Sequence, residues 1–212
     1  ERYAEILEAA GGELEQDSSM LNTDPPDHTR LRRLVSKAFT PAAIQALRPR
    51  IQELVDAALN ELAAAGTGDI VKQLAFPLPF DVISEMLGMP ESDKDQIAAW
   101  SGTIVKSLDP MLALDSFAEI RAASDAMNAH IDEVIRWKRE NPGDDLLTAL
   151  IAAEEGGDRL TPAELRDQVN LLFIAGHETT VNLIGTGIYE LLRHPEQAAI
   201  WRGDPELDAT AV

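Results

Sequence analysis

Residues 161 to 195, TPAELRDQVNLLFIAGHETTVNLIGTGIYELLRHP, constrain the fold more than any other stretch. Thr161-Pro162-Ala163-Glu164 is a capping box with proline at the first helical position. No strong stop follows until His194-Pro195. The spacing predicts one helix of about thirty residues, about 45 Å long, enough to cross a whole domain. It is apolar on several sides, as a helix buried in a larger body is. A chain organised around such a rod is mainly α.

The rest reads as shorter helices. Residues 2–10 form one, stopped by Gly11-Gly12, and Asp24-Pro25-Pro26-Asp27 opens another to about Ala38. Thr40-Pro41 opens a third that ends at Gly66, with Pro49 expected to divide it. Pro77 to Leu87, about Glu91 to Ser107, about Leu114 to Glu140, Asp145 to Glu154 and Pro195 to Arg202 complete the set. Gly68-Asp69-Ile70-Val71 is the best candidate strand, and strand is otherwise nearly absent. No repeat or low-complexity linker divides the 212 residues, so one domain is expected.

The centre of the long helix is unusual. Gly in a helix interior costs about 1 kcal/mol relative to Ala, and β-branched Thr costs part of that. Ala175, Gly176 and Thr179 lie at spacings of three and four, so small residues share one side of the rod. A flat object could approach the backbone there. Thr179 can bond back to the carbonyl of Ala175, which bends helices. Glu178 places an acid beside that alcohol, the chemistry of proton delivery into a closed pocket. Close helix packing at Gly176, with Glu178 in solvent, is the other reading the stretch allows. His177-Glu178 begins like the zinc motif H-E-x-x-H, but position 181 is Val, so no metal ligand is assigned.

The charge is uneven. The net charge is -19, which argues against nucleic-acid binding, yet His28 to Arg50 contains only basic charges: Arg30, Arg32, Arg33, Lys37, Arg48 and Arg50. Within D-P-P-D-H-T-R-L-R-R-L-V, His28 and Arg32 stand one turn apart on one face, with Leu31, Leu34 and Val35 opposite. Such a pair can hold carboxylates, the arginine bidentately.

D-P-P-D-H-T-R-L-R-R-L-V and A-G-H-E-T-T, in this order and about 150 residues apart, resemble the soluble bacterial cytochromes P450. The resemblance covers essentially the whole chain, from just before the family's C helix through its long central I helix to the J helix, where L-L-R-H-P-E-Q follows. It implies a mainly α fold, the helical part of the P450 domain, with very little strand. It implies haem b as cofactor, with His28 and Arg32 at its propionates and Ala175 and Gly176 lining its distal face. Glu178 and Thr179 become the catalytic acid-alcohol pair that relays protons to dioxygen. An apolar small-molecule substrate would enter under mobile helices between Pro77 and Phe117, with Leu108 to Leu114 as lid. A ferredoxin-type redox partner would dock on a basic surface including Arg30 and Arg33.

The chain contains no cysteine, whereas the family's iron ligand is a cysteine in a loop close to its C-terminus. The family's N-terminal sheet region is absent as well. The expectation is therefore a partial P450 domain, inactive alone. A piece of a longer polypeptide, a natural truncation, and a non-catalytic helical module binding an apolar ligand or partner protein are the three forms this takes. No apolar run reaches the ~20 residues of a membrane span, and no secretory signal opens the sequence, so a cytoplasmic location is expected. Trp100, Ile104, Leu108, Met111, Leu112 and Phe117 are candidate substrate contacts, although residues at helical spacing are more often core.

Overall fold

The computed structural model describes residues 18–90, 94–155, 159–204 and 207. The helix expected at 2–10, with the Gly pair that stops it, lies outside these residues.

Nine α-helices follow one another: α1 (Asp27–Ala38), α2 (Pro41–Ala65), α3 (Pro77–Leu87), α4 (Lys94–Ile104), α5 (Pro110–Asp115), α6 (Phe117–Glu140), α7 (Leu146–Glu155), α8 (Pro162–Arg193) and α9 (Pro195–Gly203), counted among the described residues. No strand occurs among them. The rod α8 runs unbroken for 32 residues, about 48 Å. Both halves of its capping box form: Glu164 N donates to Thr161 Oγ1 at 3.2 Å, and Thr161 N donates to Glu164 Oε2 at 2.7 Å.

Helices α3, α6 and α7 pack against α8, and α4 lies on α6. Their inward residues form one core, with Phe80 and Leu87 of α3, Met127 and Ile131 of α6, and Leu165, Val169 and Phe173 of α8 all buried. Helix α1 contributes Leu31, Leu34 and Val35 to the same core, as its amphipathic spacing requires. Its Arg30 turns to the start of α8, pairing with Glu164 and donating to the Arg159 carbonyl at 3.2 Å. Burial pushes the Glu164 carboxyl upward, but the Thr161 N–H and Arg30 outweigh it and hold its pKa below the ordinary value.

Three expectations change. Pro49 does not divide α2, which continues through it to Gly66. Two turns capped by Thr40 precede the proline and four follow, enough to carry the helix across one missing bond. The strand at Gly68 to Val71 is instead a lead-in to a π-helical turn, Val71–Ala75. Asp69 Oδ1 accepts from the N–H groups of Val71 and Lys72 at 3.1 and 3.2 Å, which starts a turn in place of a sheet edge. The Gln73 side-chain oxygen lies over Gly68, where a Cβ would sit 2.0 Å from it, so a larger residue there would displace the Gln73 side chain. The long helix expected from Leu114 begins at Phe117; Asp109 caps the separate short helix α5 before it, accepting from Met111 N at 2.8 Å.

Candidate functional site

The odd centre of α8 divides by direction. Phe173 and His177 face α3 and are fully buried. His177 lies in a cage of phenyl rings. Phe76 and Phe80 meet it edge-on at centroid distances of 4.7 and 5.2 Å, and Phe173 is tilted at 6.3 Å. The π-turn delivers Phe76 to this position. Neither imidazole nitrogen has a hydrogen-bond partner, and burial alone lowers the His177 pKa to about 4. The imidazole is thus neutral packing material at neutral pH. Gly176 belongs partly to this side, since a Cβ on it would lie 3.2 Å from Ile83 Cδ1 of α3. It lets the two helices approach, which is the packing alternative raised from the sequence.

On the other side, Ala175 and Thr179 are exposed and Glu178 is half-buried. The Thr179 hydroxyl donates to the Ala175 carbonyl at 2.6 Å, as its spacing predicts. Thr180 repeats the bond to the Gly176 carbonyl at 3.0 Å, and the helix is not interrupted by either. The Glu178 carboxylate makes no hydrogen bond or ion pair among the described residues, so acid and alcohol stand unblocked.

A cavity of about 490 Å³ adjoins this segment. Leu171 and Ile174 of α8 form one wall, Phe117, Ile120 and Met127 of α6 another, and Ile104 and Leu108 a third. On α8 its lining ends at Ile174, one helical turn before Glu178, and neither Glu178 nor Thr179 lines it. Of the candidate substrate contacts, Ile104, Leu108 and Phe117 line it. Trp100 packs against His130 at 5.8 Å, Met111 is exposed, and Leu112 borders a separate shallow hollow. Leu171 and Ile174 were not singled out from the sequence, where they read as ordinary apolar positions of a buried rod.

His28 is half-buried and Arg32 exposed on α1, and neither side chain has a hydrogen-bond or ion-pair partner among the described residues. Arg30 ties α1 to the first turn of α8. From Glu164 to Ala175 the helix rises about 16 Å. The His28–Arg32 pair and the acid-alcohol pair therefore belong to two joined elements, and no direct bond links them. Arg30 is not part of an open basic surface, because its charge is turned inward to Glu164. Arg50 is likewise engaged, bidentately by Glu85 at 2.7 to 3.0 Å.

The described residues thus form a helical body around one long rod, with an acid and an alcohol on the rod's open side and a cavity near them. The cytochrome P450 family model matches residues 7–200. Cytochrome P450 107B1 of Saccharopolyspora erythraea is 49% identical over 194 residues, covering 91% of this chain and 46% of that protein. Cytochrome P450 monooxygenase PikC of Streptomyces venezuelae is 45% identical over 92% of this chain and 46% of its own length. Among solved structures, P450BioI in complex with an acyl carrier protein ligated to hexadec-9Z-enoic acid superposes with a TM-score of 0.84 at 35% identity, covering 92% of this chain and 50% of that one. CYP109E1 from Bacillus megaterium in complex with testosterone gives a TM-score of 0.84 at 35% identity over 92% of this chain and 52% of its own. The chain belongs to the cytochrome P450 family. It spans about half the length of the relatives it matches.

Proposed function

We propose that this chain is the distal and substrate-binding part of a haem monooxygenase that inserts one oxygen atom of O2 into an apolar small molecule. The observation that carries the reading is the acid-alcohol pair, Glu178 and Thr179, on the open side of α8, one turn beyond Ile174 at the edge of the cavity.

The residues present suit haem b. Ala175, beside Gly176, keeps the open strip of α8 low enough for a flat ring to lie against the helix. His28 and Arg32 have no hydrogen-bond or ion-pair partner among the described residues, and their N–H groups are the donors that two propionates need. Bound haem supplies the iron at which dioxygen is activated. The Thr179 hydroxyl is oriented by its bond to the Ala175 carbonyl, leaving its lone pairs open to water. The Glu178 carboxylate can take a proton from solvent and pass it to that water. Leu171 and Ile174 exclude bulk water on the substrate side. The sequence holds no cysteine, so a thiolate ligand has to come from residues outside these 212.

An electron donor of the ferredoxin type fits the exposed cations Arg33, Lys37 and Arg48, although Arg30 is excluded from that surface. Cytoplasmic residence is part of the proposal. No helix among the described residues is long and apolar enough to cross a membrane.

The test is the reduced, CO-bound absorbance spectrum of the polypeptide as the cell makes it. A thiolate-type Soret band with one haem per chain is expected. A stable protein that takes up no haem contradicts the proposal and favours a helical binding module, whose contact surface would include the exposed Leu183, Leu192 and Ile200.

A further inference from the structure

The cavity beside α8 has apolar walls and a charged rim. Its volume is about 490 Å³, and Ile104, Leu108, Phe117, Met127, Leu171 and Ile174 supply apolar wall. An alkyl body gains from leaving water there. Four charged side chains also line it: Arg121 and Asp125 of α6, and Arg166 and Asp167 of α8.

Three of these four are committed. Arg166 pairs with Asp167 at 3.2 Å and with Asp132 at 3.7 Å. Asp167 also accepts from the Ser18 N–H at 2.9 Å. Arg121 is engaged too, and no bond joins it to Asp125 one turn along α6. Asp125 makes no hydrogen bond or ion pair among the described residues. It is exposed while lining the cavity, so it stands where the cavity opens to solvent.

The uncommitted charge at this opening is therefore a carboxylate. A cation arriving with an apolar body meets an opposite charge that has no partner bond to break, whereas an anion meets repulsion. The net charge of -19 acts in the same direction at longer range, since it concentrates cations around the protein.

We infer that Asp125 is a specificity-determining residue that selects apolar substrates carrying a positively charged ammonium group. That the selected molecule is a substrate rests on the monooxygenase reading; that it is a cation rests on the cavity.

The test is calorimetric binding of two probes, decyltrimethylammonium and 1-decanol, to the haem-loaded full-length protein. The quaternary nitrogen has no lone pair to offer to iron, so direct ligation does not enter the readout. Asp125→Asn keeps the side-chain shape at an exposed position that bonds to nothing, so folding is expected to be intact. It should weaken binding of the cation about threefold, the size of a partly exposed ion pair, and leave the alcohol unchanged. The difference should shrink as salt is raised. Glu61→Gln removes an exposed acid of α2 that does not line the cavity, and should leave both probes unchanged.

The inference is overturned by an unchanged cation affinity in Asp125→Asn, by an equal loss in Glu61→Gln, by an equal loss for the alcohol, or by binding of neither probe. Calorimetry reads binding without reference to haem chemistry. Loss of the inference beside an intact thiolate-type band leaves the monooxygenase reading standing. An Asp125-dependent cation preference in a protein lacking that band removes the monooxygenase reading and leaves a cation site.

Discussion

The two sides of α8 between Phe173 and Thr180 share one backbone and have opposite requirements. Toward α3, Phe173, Gly176 and His177 meet Phe76, Phe80 and Ile83 in a dry, ring-filled contact. Away from α3, Ala175 and Thr179 are exposed and Glu178 carries an unpaired acid. The first side fixes where the helix sits and the second is free to do chemistry. A-G-H-E-T-T thus carries two patterns at helical period, one packed against α3 and one left open, where the proposed proton relay would act.

If that division is right, substitutions on each side should move different measurements. The largest effect is expected for Glu178→Gln in the haem-loaded full-length protein. Substrate oxidation should slow by about 10² to 10⁴, the range of a lost proton-transfer group, while the melting temperature stays unchanged. Steady-state turnover and calorimetry read the two together. Next comes Phe173→Ala on the packing side, which should lower unfolding free energy by about 3–5 kcal/mol in denaturant titration.

The third effect depends on pH. His177 is neutral in the fold, with a pKa lowered to about 4, and the unfolded side chain titrates near its ordinary 6.5. Below that value the unfolded chain takes up a proton that the folded chain refuses. Stability from this group is fully present above pH 6.5 and declines as pH falls toward 4, by about 3 kcal/mol. His177→Phe should flatten that part of the profile while leaving the carboxylate-driven loss at lower pH. A wild-type slope that persists unchanged in His177→Phe would remove the dry cage. The smallest effect is expected for Gly176→Ala. Better helix propensity favours it by about 1 kcal/mol, and the approach of Ile83 to 3.2 Å opposes it. A melting-temperature change of a few degrees either way is the expected outcome, against a large loss for Gly176→Phe.

The long helix was legible because its signals are local. Thr161 and Glu164 are three residues apart, Pro162 needs only its own ring, and the apolar pattern is continuous. Thr179 was legible for the same reason, since its acceptor is one turn away. What depends on distant chain was not. Gly68 to Val71 looks like a strand by residue type, and only Asp69 turning back on Val71 and Lys72 makes it a turn. The cage around His177 comes from Phe76 and Phe80, about a hundred residues earlier, so packing and solvent could not be told apart in the sequence. Lys138 and Asp145 form a buried ion pair at 2.6 Å beneath Gly88, where a Cβ would lie 2.4 Å from the lysine nitrogen. Seven residues apart across a turn, that pair gives no helical-period signal. The inward turn of Arg30 was hidden likewise, since Glu164 lies far along the chain.

Haem is expected to lie on the open strip of α8. Absorbance titration of haem into the apo form of the full-length protein, unaltered and as Ala175→Phe, tests it most directly. Ala175 is exposed, so the added ring should leave folding intact. Saturable binding by the unaltered protein and at least about tenfold weaker binding by Ala175→Phe, equivalent to about 1.4 kcal/mol, are expected. Equal affinity with an identical spectrum in the variant would contradict it.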